Sequence, residues 1–208
     1  FAGDHGIAAA GVSAQPPTAT PDRVRDLLGT GPAGILADLA ATGVRVVDVA
    51  VDADATRLPP EVEDRRIRRG TGRIDVEDAL TRDEAEAAFG VGTAIADDEV
   101  DRGADLLVAT GLGVASSTPA ATLAAVLTEK EVAAVVGWGS LVDDRGWMRK
   151  CAAVRDAARR GRKILAAKGD MIDLLAAVGG ADLAALTGFV SQSALRQTPL
   201  VLDGLVST

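Results

Sequence analysis

The chain has 208 residues, 48 % of them hydrophobic and 25 % charged, enough for one sizeable core and too few for a second full domain. Its formal net charge of −8 argues against general binding to DNA or RNA. No apolar run reaches the ~18 residues that span a bilayer, which excludes a membrane protein. Only 2 % of residues are aromatic, with no Tyr, so the core must be built from Ala, Val and Leu. Cys151 is the sole cysteine and His5 the sole histidine, which leaves no intrachain disulfide and no conventional zinc site. Neither a metal nor a cofactor is expected. With no signal peptide, a reducing cytoplasm fits, and Cys151 reads as a buried structural thiol.

In chain order, Phe1-Ala2 already reads as the end of a strand, which suggests a trimmed N-terminus. Pro32–Ala41 is a helix opened by proline, and Val44–Val51 a buried strand. Residues 52–80 are polar and carry Pro59-Pro60, and they read as a long excursion over the surface. Within them the basic run Arg65, Arg66, Arg68 and Arg69 reads as a solvated turn in preference to a phosphate site. Thr81 and Glu84 have the spacing of a capping box, opening a helix over Thr81–Arg102. That helix sets Ala85, Ala88, Phe89, Gly92, Ile95, Ala96 and Val100 on one face. Leu106–Ala109, Ala133–Val136 and Leu200–Leu202 are short apolar strands, and Lys163–Ala167 is a weaker candidate. The helices Thr118–Leu127, Gly146–Arg160, Met171–Val178 and Ala181–Leu195 complete the set. Strands alternating with helices imply an α/β domain with a parallel sheet and right-handed crossovers.

Ligands of open parallel sheets bind at the carboxyl ends of the strands. Those ends carry Asp4 and His5, the stretch Thr110–Thr118, Gly137 to Ser140 followed by Asp143 and Asp144, and Asp203-Gly204. Gly111-Leu-Gly113-Val-Ala-Ser116 nearly matches a dinucleotide fingerprint, but the next strand lacks the acid that would hold a ribose, so NAD is rejected. No Walker A sequence and no Gly-x-Ser-x-Gly elbow is present. An anion site fits better. Gly113 permits close backbone approach, Ser116, Ser117 and Thr118 supply hydroxyls, and Pro119 opens a helix whose N-terminus attracts phosphate. The plainer alternative is an N-cap made by Ser117 or Thr118. His5 beside Asp4 reads as an orienting residue or as a packed, hydrogen-bonded one.

Phe1-Ala-Gly-Asp-His-Gly6 followed by Gly11-Val-Ser13-Ala resembles the first motif of the nicotinate mononucleotide:dimethylbenzimidazole phosphoribosyltransferases. Leu107 to Pro119, Val136 to Ser140 with Asp143-Asp144 and Arg149-Lys150, Gly179 to Asp182, and Pro199 to Gly204 resemble further motifs of that family in the same order. The resemblance implies a Rossmann-like three-layer domain, a parallel sheet flanked by helices, with the small-domain elements mostly missing. It makes residues 1–208 one nucleotide-binding domain. It also implies transfer of phosphoribose from nicotinate mononucleotide to dimethylbenzimidazole, a cobalamin-pathway reaction that gives an α-ribazole phosphate, by a homodimer.

On this chain the phosphate and ribose cradle would be Gly113, Ser116, Ser117, Gly137, Gly139 and Lys150. Ser13 would lie near the base and Leu112 would form a wall of its slot. The family's general base is a Glu in a Gly-Glu-Gly-Thr-Gly segment that this chain does not contain. Asp4, His5 and Asp182 are the catalytic candidates that remain, with Asp143 and Asp203 on the same edge. Four further positions depart from the family pattern. Gly111 stands in place of an acid, Ser116 in place of Asn, and Leu141 in place of Gly. Asp22 stands where a Gln is expected. These departures admit a second reading, a relative that binds a nucleotide or base without chemistry or serves as a structural dimer module.

Overall fold

The computed structural model describes residues 1–29, 31–204 and 206–207, with Ser140 described by its backbone only. Among the described residues, five short strands, β1 (Ala2–Gly3), β2 (Val47–Ala50), β3 (Glu63–Asp64), β4 (Leu107–Ala109) and β5 (Leu200–Leu202), all pair in parallel. β1 pairs with β2 and β2 with β3, while β4 pairs with β5. The two sheets meet at a bridge between Ala2 and Leu112, just past the end of β4, where Leu112 N donates to Phe1 O at 2.9 Å and Gly3 N to Leu112 O at 3.0 Å.

Both faces of this sheet are covered, as burial of parallel strands requires. One side carries α8 (Ala181–Leu195), backed by α3 (Arg82–Asp101). The other carries α1 (Thr20–Leu28), over a small core of Ala2, Val24, Val46, Val51 and Ala53, and α2 (Pro32–Leu39) packs against α1. Alternate residues of β2 serve the two sides: Val47 and Val49 face the larger core, and Asp48 between them faces Arg66. The helices α4 (Ser117–Leu127), α5 (Val132–Val135) and α6 (Asp144–Ala166) pack on one another, and α7 (Met171–Val178) joins them to α3 and α8. The expected capping box is present: Glu84 N donates to Thr81 Oγ1 at 3.2 Å and Thr81 N to Glu84 Oε2 at 2.8 Å.

Several expectations are corrected. Ala133–Val136 is not a strand: Val132–Val135 is one helical turn, closed by Val136 N donating to Val132 O at 3.0 Å. A four-residue apolar run fits either state, and its two alanines favour the helix. Lys163–Ala167 is likewise the end of α6, whose buried positions Val154, Ala157, Ala158 and Gly161 carry the helical period into it. The strand expected from Val44 begins at Val47. No element is expected between Phe1-Ala2 and Pro32, yet α1 forms there, behind Pro16 and Pro17. Pro21 occupies the first turn of the helix, where no N–H is required. Residues 52–80 lie at the surface only in their first part. β3 forms there, and Thr71, Ile74, Ala79 and Leu80 are buried, the last two donating to the carbonyls of Ala177 and Ala176.

The basic run is only partly the solvated turn expected: Arg65 and Arg69 are exposed, while Arg66 and Arg68 are half-buried. Each arginine meets carboxylates: Arg65 meets Glu63, Arg66 meets buried Asp48 at 2.6 Å, Arg68 meets Glu84, and Arg69 meets Asp52 and Asp54. Cys151 is half-buried and free, with burial pushing its thiol up. No helix among the described residues is long and apolar enough to cross a membrane.

Candidate functional site

The loop from Thr110 to Ser116 leaves β4, runs beside β1 and turns into α4. Glycine is required at 113 because a Cβ there would stand 1.8 Å from the carbonyl oxygen of Gly3. The close approach that Gly113 permits is therefore to β1, although the residue also borders the cleft described below. Beyond it Ala115 turns through a left-handed conformation, φ 67°, and delivers Ser116 and Ser117 to the start of α4. Ser116, at the N-cap position, makes no side-chain cap hydrogen bond. The hydroxyl of Ser117 accepts from Lys150 Nζ at 2.8 Å. The plain N-cap alternative is thus not what these serines build.

Lys150 enters from the second turn of α6, and its side chain is wholly buried. Burial pushes its ammonium below the usual lysine range, opposed only by the neighbouring Cys151. Among the described residues it meets no carboxylate, whereas buried cations are normally paired. Beside it runs a 3₁₀ turn over Gly139–Leu141, and a Cβ on Gly139 would stand 3.8 Å from Lys150 Nζ. The turn ends on Leu141 at φ 55°, the left-handed region that suits glycine.

These groups border a cleft of about 310 Å³ that includes Ser13, Arg23, Gly113, Ser116, Ser117 and Gly139. An adjoining hollow of about 330 Å³ has Leu27, Pro32 and Leu112 in its wall. The two share Arg23, Thr110, Gly111 and Asp203, so a polar end passes into a more apolar one. Ser13, Gly113, Ser116, Ser117 and Gly139 therefore come together, with Lys150 behind Ser117 and Leu112 next door. Gly137 does not join them, because it lies exposed and borders neither hollow.

Sequence reasoning missed Arg23 and Gln15. Arg23 Nη1 donates to Gly113 O at 3.0 Å and to Gln15 Oε1 at 3.4 Å. Gln15 brings an amide to the cleft, while Asp22 lies exposed in an ion pair with Arg25. The available signal was weak: an arginine on an amphipathic helix normally faces solvent.

The candidate acids separate by environment. Asp4 is buried and accepts three hydrogen bonds, from Thr20 Oγ1 at 2.5 Å, Asp52 N at 2.9 Å and Val114 N at 3.1 Å. His5 Nε2 and Asp182 Oδ2 are 3.1 Å apart, with both side chains inaccessible. Burial alone would push the imidazole down, but the charge and hydrogen bond of Asp182, helped by Asp4, hold it above its usual value. Asp143 caps α6 by accepting from Gly146 N at 2.7 Å. Asp203 alone of these borders the cleft.

A parallel α/β sheet with a cleft at its strand ends, fitted there with a helix N-terminus and a buried lysine, defines a Rossmann-like protein suited to an anionic ligand. The chain belongs to a family described as phosphoribosyltransferase, whose model matches residues 1–208. It is 56 % identical to the nicotinate-nucleotide–dimethylbenzimidazole phosphoribosyltransferase of Streptomyces avermitilis, a match that covers 100 % of this chain and 55 % of that protein. It is 52 % identical to the protein of that name from Mycobacterium tuberculosis, over 100 % of this chain and 56 % of the relative. Among solved structures, CobT from Thermus thermophilus superposes with a TM-score of 0.91 at 36 % identity, over 99 % of this chain and 61 % of that one. The chain thus spans just over half the length of these curated relatives.

Proposed function

We propose that residues 1–208 form one nucleotide-binding domain of a phosphoribosyltransferase that moves phosphoribose from nicotinate mononucleotide to dimethylbenzimidazole or a related base. The observation that carries this is Lys150, a buried cation with a hydroxyl partner and no carboxylate among the described residues, behind the serines of a helix N-terminus. Such a site is short of one anion, and a 5′-phosphate supplies it. Ser116 and Ser117 hold that phosphate, and Lys150 supports it with its charge from behind Ser117. Leu112, with Leu27 and Pro32, offers the apolar wall for a flat base. Attack by a base nitrogen on the ribose carbon breaks the bond to nicotinate, and the nitrogen's proton passes to a carboxylate. Asp203 is the candidate acceptor on this chain, because Asp4 and Asp182 are sealed inside.

The natural assembly is proposed to be a cytoplasmic homodimer; the exposed apolar residues Trp138, Leu141 and Met148, of which Leu141 borders the cleft, support the dimer. Light scattering tests that stoichiometry. The function is tested by incubating the protein with nicotinate mononucleotide and a panel of benzimidazoles, with calorimetry of the nucleotide alone in parallel. Release of nicotinate is the expected result. Binding without release would favour the non-catalytic reading, and absence of binding would remove both.

A further inference from the structure

The peptide unit joining Gly113 to Val114 has both of its polar atoms held by side chains from other elements. Its N–H donates to Asp4 Oδ1 at 3.1 Å, and its C=O accepts from Arg23 Nη1 at 3.0 Å. The same Asp4 oxygen accepts from Thr20 Oγ1, while Oδ2 accepts from Asp52 N at 2.9 Å. Thr20 and Arg23 are neighbours at i and i+3 on α1, so one face of that helix reaches the peptide twice, once through Asp4 and once directly. Gly113 rests against the carbonyl of Gly3 too closely for a Cβ, so the peptide is pressed on β1 as well. Directly downstream lie the left-handed Ala115 and the hydroxyls of Ser116 and Ser117.

We propose that Asp4 is a positioning residue, with no part in proton transfer: together with Thr20 it fixes the plane of the Gly113–Val114 peptide and thereby the aim of the phosphate-binding serines. A rotation of this peptide turns the backbone that feeds Ala115, Ser116 and Ser117, and cradle geometry wrong by an ångström costs binding. Asp4 is 5 % exposed and Thr20 not at all, so neither touches a ligand in the cleft. The proposal rests on the phosphate-binding reading above in its functional half only.

The test is a graded series, Thr20→Val, Asp4→Asn and Asp4→Ala, with Leu174→Ala in α7 as a control that lowers stability away from the loop. Valine removes one bond to the carboxylate. Asparagine keeps an acceptor for Val114 but turns a donor toward Asp52 N, and alanine removes all three bonds. Hydrogen exchange is followed at the amides of residues 113–117, at a temperature where every variant is folded. Exchange there is expected to rise in the order Val, Asn, Ala, reaching tenfold or more over the wild type, as for the loss of buried hydrogen bonds. The Leu174→Ala control leaves it unchanged.

In parallel, KM and Kd for nicotinate mononucleotide are expected to rise about tenfold in Asp4→Asn, with kcat within about threefold and an unaltered pH profile. If Asp4→Ala does not fold, the other two variants carry the comparison. Loop exchange no faster than in the Leu174→Ala control overturns the proposal. So does a fall in kcat with a displaced pH profile at constant KM, which would make Asp4 a proton acceptor. If the wild type binds no nicotinate mononucleotide, the functional reading fails, and the exchange order alone decides the positioning.

Discussion

Lys150 and Leu141 show how single residues bear the cost of the cleft. The Lys150 ammonium is held below its usual range of about 10.5 by burial. Between the folded and unfolded values the unfolded chain binds more protons, so stability rises with pH across that interval, and below it the full cost of burying the charge remains. Lys150→Met, close in volume and uncharged, is therefore expected to raise the melting temperature of the ligand-free protein by roughly 2–4 °C. It should weaken binding of inorganic phosphate and nicotinate mononucleotide at least tenfold. A variant that lost stability as well as affinity would show that Lys150 is a structural donor to Ser117 and no anion anchor. Leu141 is 82 % exposed at φ 55°, so its side chain packs on little while its backbone is strained. Leu141→Gly restores the residue that the family pattern carries there, and a gain of about 0.5–1 kcal/mol is expected after the extra entropy of the unfolded glycine. Urea unfolding midpoints measure it, and an unchanged or lower midpoint would mean the turn is not strained. The hydroxyls of Ser116 and Ser117 were legible because they follow glycines at a strand end. Arg23 was not, because only the fold brings α1 against a loop 90 residues away.

The pairing of α3 with α8 is an element-scale example of small residues deciding the packing. A Cβ on Gly92 would lie 1.8 Å from the carbonyl oxygen of Ala185, and one on Gly188 would lie 2.1 Å from that of Phe89. Each helix thus sets a glycine against the other's backbone, and α8 is brought close enough to the sheet to cover β2 and β4. Gly92→Ala must separate the helices, and a loss of about 3 kcal/mol is expected from thermal or urea unfolding. A loss below about 1 kcal/mol would mean the interface opens easily. The buried face of α3 was readable from its 3.6-residue period and its capping box, including the inward position of Gly92. The partner helix was not, since periodicity states that a face is buried without saying against what. The same limit explains Val132–Val135, where four apolar residues hold too little period to separate a helical turn from a strand. It also explains β3, whose Glu63 and Asp64 carry no apolar signal because their side chains serve polar contacts with arginines.

The His5–Asp182 pair acts on the whole molecule, because it ties the end of β1 to the first turn of α8 across 177 residues of sequence. Its members are inaccessible, and His5 Nδ1 and Asp182 Oδ1 find no partner among the described residues, so the pair's energy rests on one charge-assisted contact in a low-dielectric interior. With the folded imidazole held above its unfolded value near 6.5, the folded state binds more protons between the two values. The contribution is therefore complete below pH 6.5 and is lost as pH rises through the folded value. Lys150 contributes with the opposite sign and titrates from the lysine side of the scale, so its slope grows at alkaline pH. Across neutral pH the wild-type unfolding free energy should fall with rising pH relative to that of a variant without the imidazole, the buried Phe1 ammonium, pushed below its usual value, acting with the opposite sign in both. That variant is His5→Gln, whose baseline stability is lower because Asp182 then lies buried without its cationic partner. A difference between the two that did not change with pH would assign the titration elsewhere. Because Asp4 directly follows β1 and precedes His5, loosening the pair at high pH is expected to lower the protection of the Val114 amide relative to its intrinsic exchange rate, joining the stability of the carboxyl end of the sheet to the order of the loop that borders the cleft.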